Sequence, residues 1–80
     1  MLKELKIILN SIDRVKTFVN CNSKFIGDID VVSGRYVIDG KSIMGIFSLD
    51  LTKELTVKYH FDCEEDYTKL MNLYKEMKLI

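Results

Sequence analysis

The sequence predicts an α+β fold: an open-faced β-sandwich in the order βαββαβα, with a four-stranded antiparallel sheet and three helices on one face. Three observations carry this. Four short stretches alternate apolar with polar residues, the period of half-buried strands. Between and after them lie segments whose apolar residues recur every three or four positions, the period of amphipathic helices. Each strand has one apolar face, so helices need cover only one side of the sheet and water covers the other. At 80 residues the chain reads as a single domain, 1–80.

Residues 2–9 alternate, with Leu5, Ile7 and Leu9 on one side and Lys6 on the other. Asn10 and Ser11 break the strand, and Ser11 is placed to cap a helix. Ile12, Val15, Phe18, Val19 and Asn22 recur at helical spacing, giving a helix of about 11 residues with Ile12, Val15, Phe18 and Val19 as its apolar stripe. Phe25 and Ile26 lead into Asp28-Ile29-Asp30-Val31-Val32, a strand with acids on its wet face. Ser33-Gly34 is a hairpin signal, and Arg35 to Asp39 returns with Tyr36 and Ile38 on one face.

The stretch Gly40 to Leu51 organises the rest. Placed on a helix at about 100° per residue, Ser42, Gly45, Ile46 and Leu49 fall on one side, and Ile43, Met44 and Phe47 fall nearly opposite. Ile46 and Leu49 face a core, and Gly45 lets the helix approach the sheet closely. Ser42 is the N-cap. Ile43, Met44 and Phe47 have no second layer of chain to cover them and form a candidate docking patch.

Asp50 to Lys53 connects to the clearest strand, where Leu55, Val57, Tyr59 and Phe61 alternate with Thr56, Lys58 and His60. Asp62-Cys63-Glu64-Glu65 has a capping-box pattern and predicts Asp62 as the cap of the last helix. Glu64, Glu65 and Asp66 suit the positive end of its dipole, and Tyr67, Leu70, Met71, Tyr74 and Met77 form its stripe.

Composition narrows the function. Apolar residues are 48% and charged residues 30%, as in an ordered globular domain. The formal net charge is zero, which argues against direct nucleic-acid binding. No apolar run approaches the roughly 18 residues of a membrane span. Three charges interrupt the opening nine residues, so no signal peptide is predicted, and a cytoplasmic protein with reduced thiols is expected. Cys21 and Cys63 are far apart and form no CxxC pair; with a lone histidine they predict no metal site, and no cofactor motif is present. Cys21 reads as a small buried residue. Asp28 and Asp30 read as solvated strand charges, and His60 as a surface histidine beside Thr56 and Lys58. No catalytic constellation is present, so no enzymatic activity is expected.

Two runs carry a resemblance: Ser23-Lys24-Phe25 with Asp28-Ile29, and Lys41-Ser42-Ile43-Met44-Gly45 with Ser48-Leu49. Together with the element order they resemble HPr, the histidine-containing phosphocarrier of the bacterial phosphoenolpyruvate:sugar phosphotransferase system. In that family a histidine opening the first helix carries the phosphoryl group, followed closely by an arginine and a proline. Counted back from Ser23, these positions fall on Ser11, Asp13 and Arg14. The resemblance therefore implies a degenerate member without the acceptor histidine. A serine phosphate ester is a far poorer relay than the phosphoramidate of an imidazole, and Asp13 repels a phosphate at a helix start. The resemblance also implies that Ser42 matches a serine modified by a dedicated kinase in Gram-positive relatives, after which a transcription regulator binds. The expectation is a regulatory or adaptor paralogue that docks protein partners through Ile43, Met44 and Phe47: phosphotransferase-system enzymes, the HPr kinase or a transcription regulator. An active carrier with Ser11 as a non-standard acceptor, or a diverged HPr-fold domain outside the sugar system, are the alternatives.

Overall fold

The computed structural model describes residues 1–80. Its elements are β1 (Leu2–Ile7), α1 (Ile12–Asn22), β2 (Asp28–Ser33), β3 (Tyr36–Asp39), α2 (Ile43–Phe47), β4 (Leu55–His60) and α3 (Glu64–Glu76). The expected order holds. The four strands form one antiparallel sheet in the order β1-β4-β2-β3, so β1 and β3 are its edges.

The register explains the two faces. On the helix side, Leu5, Val57, Val31 and Ile38 form one cross-strand row, and Lys3, Tyr59 and Ile29 another. Val31, Val57 and Tyr59 are fully buried there. On the open side the rows are Lys6, Thr56, Val32 and Val37, then Glu4, Lys58, Asp30 and Asp39, then Leu2, His60 and Asp28. Period-two alternation thus sends every long apolar residue of β4 inward and Thr56, Lys58 and His60 outward. Gly34 sits at φ 60° in the two-residue β2–β3 turn, the sign that a II′ hairpin needs at its first central position.

Three expectations are corrected. β1 leaves the ladder at Ile7, although Leu9 is still fully buried, because its partner β4 begins at Leu55, opposite Ile7. Ile12 stands 61% exposed: the buried residues of α1 are Val15, Phe18, Cys21 and Asn22, and the apolar stripe overruns the core it covers. The cap of α3 is Cys63, which supplies no side-chain hydrogen bond, and Asp62 lies outside the helix. The register of the preceding strand explains that shift. Phe61 N donates to Met1 O and prolongs β4, and the Phe61 ring stacks on Tyr67 at 5.2 Å, so α3 enters one residue later than a capping box requires. The three acids still occupy its first turn.

Candidate functional site around α2 and the start of α1

α2 is a five-residue helix with a firmly anchored entry. Ser42 has extended backbone, φ −99° and ψ 106°, and its Oγ accepts the Gly45 amide at 3.2 Å. The preceding residues are fixed in turn. Lys41 N donates to Asp39 Oδ1 at 2.9 Å, and Ser42 N donates to Asp39 O. The Lys41 ammonium reaches back to Phe25 O at 2.7 Å and Gly27 O at 3.1 Å. Asn22, buried at the end of α1, donates from Nδ2 to Gly40 O at 2.7 Å. The run Gly40 to Ser42 is therefore anchored to α1, to the α1–β2 connection and to β3 together.

Gly45 meets the sheet as its position predicts. A Cβ built there would lie 2.6 Å from Ile38 Cγ2 and 3.1 Å from Ser42 Oγ. Gly45→Ala gains helix propensity of about 1 kcal/mol but overpacks by about 2 kcal/mol, because the branched Ile38 side chain is held in β3 and yields little. The expected outcome is a net loss of about 1 kcal/mol, read as a lower urea midpoint at unchanged slope.

The structure divides the predicted docking face. Met44 is 75% exposed, whereas Ile43 and Phe47 are half-buried and pack against the core, and Ile46 is fully buried. α2 lies against both β3 and α1, so its flanks are covered and only its crest stands in water. After the helix, Asp50 Oδ1 accepts the Thr52 hydroxyl at 2.6 Å and the Thr52 amide at 3.0 Å. Those bonds to the ionised form hold its carboxyl below the usual range.

Ser11 caps α1, accepting the Arg14 amide at 3.1 Å, and is exposed. Asp13 lies in the same first turn. The Arg14 guanidinium turns toward the chain end. Nε and Nη2 donate to Ile8 O at 3.1 and 2.9 Å, Nη1 to Lys78 O at 3.2 Å, and Nη2 to Leu79 O at 3.0 Å. Four of its five N–H donors go to backbone carbonyls, where they tie residues 78 and 79 to the β1–α1 connection.

The remaining candidates lie elsewhere. His60 is exposed on the open face, with Nε2 at 3.3 Å from Asp30 Oδ2. Cys21 is buried, and burial pushes its thiol above the ordinary cysteine range, partly offset by the nearby Lys24 ammonium. Cys63 is exposed and free. No cluster of three or more His, Cys, Asp or Glu side chains is arranged to hold a metal ion, and no helix is long and apolar enough to cross a membrane. Two residues went unassigned from sequence. Arg14 carries no pattern that foretells its carbonyl contacts. Asn22 does carry a signal, since a polar side chain in the core phase of an amphipathic helix must find a partner inside.

No family model matches the chain, and neither does any curated protein. Among solved structures, HPr-C-His from Thermoanaerobacter tengcongensis is 31% identical over 91% of both chains, with a TM-score of 0.67. On that likeness the chain belongs to the HPr family. The phosphocarrier protein HPr of Bacillus anthracis shares the fold at 20% identity, over 90% of this chain and 95% of that one, with a TM-score of 0.66. A mycoplasma histidine-containing phosphocarrier protein shares it at 16% identity over 98% of both, with a TM-score of 0.68.

Proposed function

We propose that this HPr-family chain is a regulatory or adaptor protein of the bacterial cytoplasm, a single domain that docks protein partners through α2 and does not relay phosphoryl groups through histidine. The observation that carries the reading is the pairing of Met44, 75% exposed, with Ser42 two residues away at the cap of the same helix. A large adaptable side chain standing in water on an otherwise covered helix favours a partner, and Ile43 and Phe47 supply the half-buried margin around it. A phosphate on Ser42 would add about two negative charges beside that side chain and change which partner fits. Partners by resemblance are phosphotransferase-system enzymes, the HPr kinase and a transcription regulator.

The loss of the relay is supported by chemistry at the start of α1. Ser11 stands where the resemblance expects histidine, Asp13 opposes phosphate, and Arg14 is committed to carbonyls. A serine ester formed there would not pass its phosphoryl group onward as a phosphoramidate does.

Intact-mass analysis after two incubations tests this. One uses phosphoenolpyruvate with the general phosphotransferase enzyme, the other ATP with the HPr serine kinase. The expected result is one phosphoryl group gained only with the kinase, and none in Ser42→Ala. Met44→Asp should weaken capture of the partner by about tenfold or more. A gain with phosphoenolpyruvate overturns the reading in favour of an active carrier, with Ser11→Ala then identifying the acceptor. No gain in either incubation removes the Ser42 switch and leaves the docking claim to Met44→Asp.

A further inference from the structure

We propose that the β3 edge is a homodimer interface, through which two copies of this chain join into one continuous eight-stranded sheet. β3 pairs only with β2, so its outer side is open. The outward backbone groups are identified by one hydrogen bond. Gly40 N donates to Ile29 O at 2.7 Å, which makes Gly40 and Ile29 a hydrogen-bonded pair of the β2–β3 ladder. Antiparallel pairs alternate, so Ile38 and Tyr36 also bond inward; Val37 turns its N–H and C=O out and Asp39 its N–H, while Asp39 O already accepts Ser42 N and Arg35 flanks the edge from the turn. An edge of this kind is a template for another strand.

The side chains select the occupant. Arg35-Tyr36-Val37-Ile38-Asp39 is self-complementary when run antiparallel to itself about Val37. Arg35 then faces Asp39 of the second copy, twice by symmetry; Tyr36 faces Ile38, and Val37 faces Val37. Outward-facing residues pair only with outward-facing ones, and of the registers this allows, only the one centred on Val37 sets arginine against aspartate. Arg35 makes no ion pair within the chain, and the Asp39 carboxylate uses only Oδ1, on Lys41 N. Tyr36 and Val37, on opposite faces, are 62% and 63% exposed, apolar area that pairing would cover. A net charge of zero puts no overall repulsion between copies. β1, the other edge, differs: Lys3, Glu4 and Lys6 are the charges that blunt an edge, and Leu5 is already half-buried. A two-fold axis normal to the sheet keeps the helices of both copies on one side, so the dimer presents α2 twice in the same direction.

Sedimentation velocity on the whole chain, from about 1 µM to about 1 mM, tests the proposal. The expected result is a mass rising from 9.3 kDa toward twice that value. Arg35→Asp sets aspartate against Asp39 at both ends and should weaken dimerisation by about tenfold or more, while Arg35→Asp/Asp39→Arg restores it with the charges exchanged. Arg35 is exposed in the hairpin, so the single variant should keep its circular dichroism spectrum. In the wild type, amide exchange at Val37 should slow as concentration rises. A monomer throughout, a dimer indifferent to Arg35→Asp, or protection rising at Glu4 and Lys6 instead of Val37 would each overturn the assignment.

Discussion

Replacing Asn22 with alanine is expected to remove about 3 kcal/mol of folding stability. Asn22 is fully buried at the end of α1 and links three elements. Its Nδ2 donates to Gly40 O, its Oδ1 accepts the Tyr74 hydroxyl of α3, and the Tyr59 hydroxyl of β4 donates to Tyr74 at 3.1 Å. No buried side-chain nitrogen or oxygen lacks a partner in the native chain. Alanine leaves the Gly40 carbonyl without its donor and the Tyr74 O–H without its acceptor inside the fold, at about 1–3 kcal/mol each, and opens a small void. A chain of this length has only about 4–12 kcal/mol in total. Urea unfolding followed by circular dichroism should show the midpoint fall sharply. Because Gly40 leads directly into the Ser42 cap, amides of residues 40–45 should also exchange faster. A loss below about 1 kcal/mol would mean that water or a shifted Tyr74 replaces the asparagine.

How local each cause is decides which parts of this molecule were legible in the sequence. β4 was readable because alternation is a property of the strand itself: Leu55, Val57, Tyr59 and Phe61 are all buried. Gly45 against Ile38 was readable because a missing side chain in the core phase of a helix has one ready meaning. The Asp62 cap failed because α3 takes its entry point from Phe61, whose position is set by Met1 sixty residues away. Of the three residues expected to face outward on α2, Met44 stands in water while Ile43 and Phe47 are half-buried, because a helical wheel cannot register α1 and β3 closing on its flanks. The carbonyl cluster around Arg14 joins residues 8, 14, 78 and 79, a meeting that only the tertiary fold creates. At the candidate site, the two serine caps were local and legible, while the commitments of Lys41 and Arg14 to distant carbonyls were not.

Stability should fall steeply above about pH 10 and lose about 3 kcal/mol per pH unit, because two tyrosines that ionise in the unfolded chain stay neutral in the folded one. Tyr59 and Tyr74 are both fully buried. Burial pushes each phenol upward; the hydrogen bond to Tyr74 opposes this at Tyr59, and the proximity of Tyr59 adds to it at Tyr74. Linkage sets the sign. For an acid whose folded value is raised, the stabilisation is complete below the unfolded value near 10 and is lost as pH climbs past it, since the unfolded state then holds fewer protons. Each fully buried phenol contributes about 1.4 kcal/mol per pH unit in that window, and two give about 3. Tyr67, only partly buried, is raised by the same cause and steepens the limb. Urea midpoints measured at about pH 8, 10 and 11 should trace the fall, with buried tyrosinate absorbance appearing only as the chain unfolds. Tyr59→Phe is the informative variant. Its hydroxyl ends the chain of hydrogen bonds, donating to Tyr74, so its removal leaves no donor stranded and should reduce the alkaline slope by one proton. An unchanged slope in that variant, or stability flat to about pH 11, would show that these phenols ionise within the folded state.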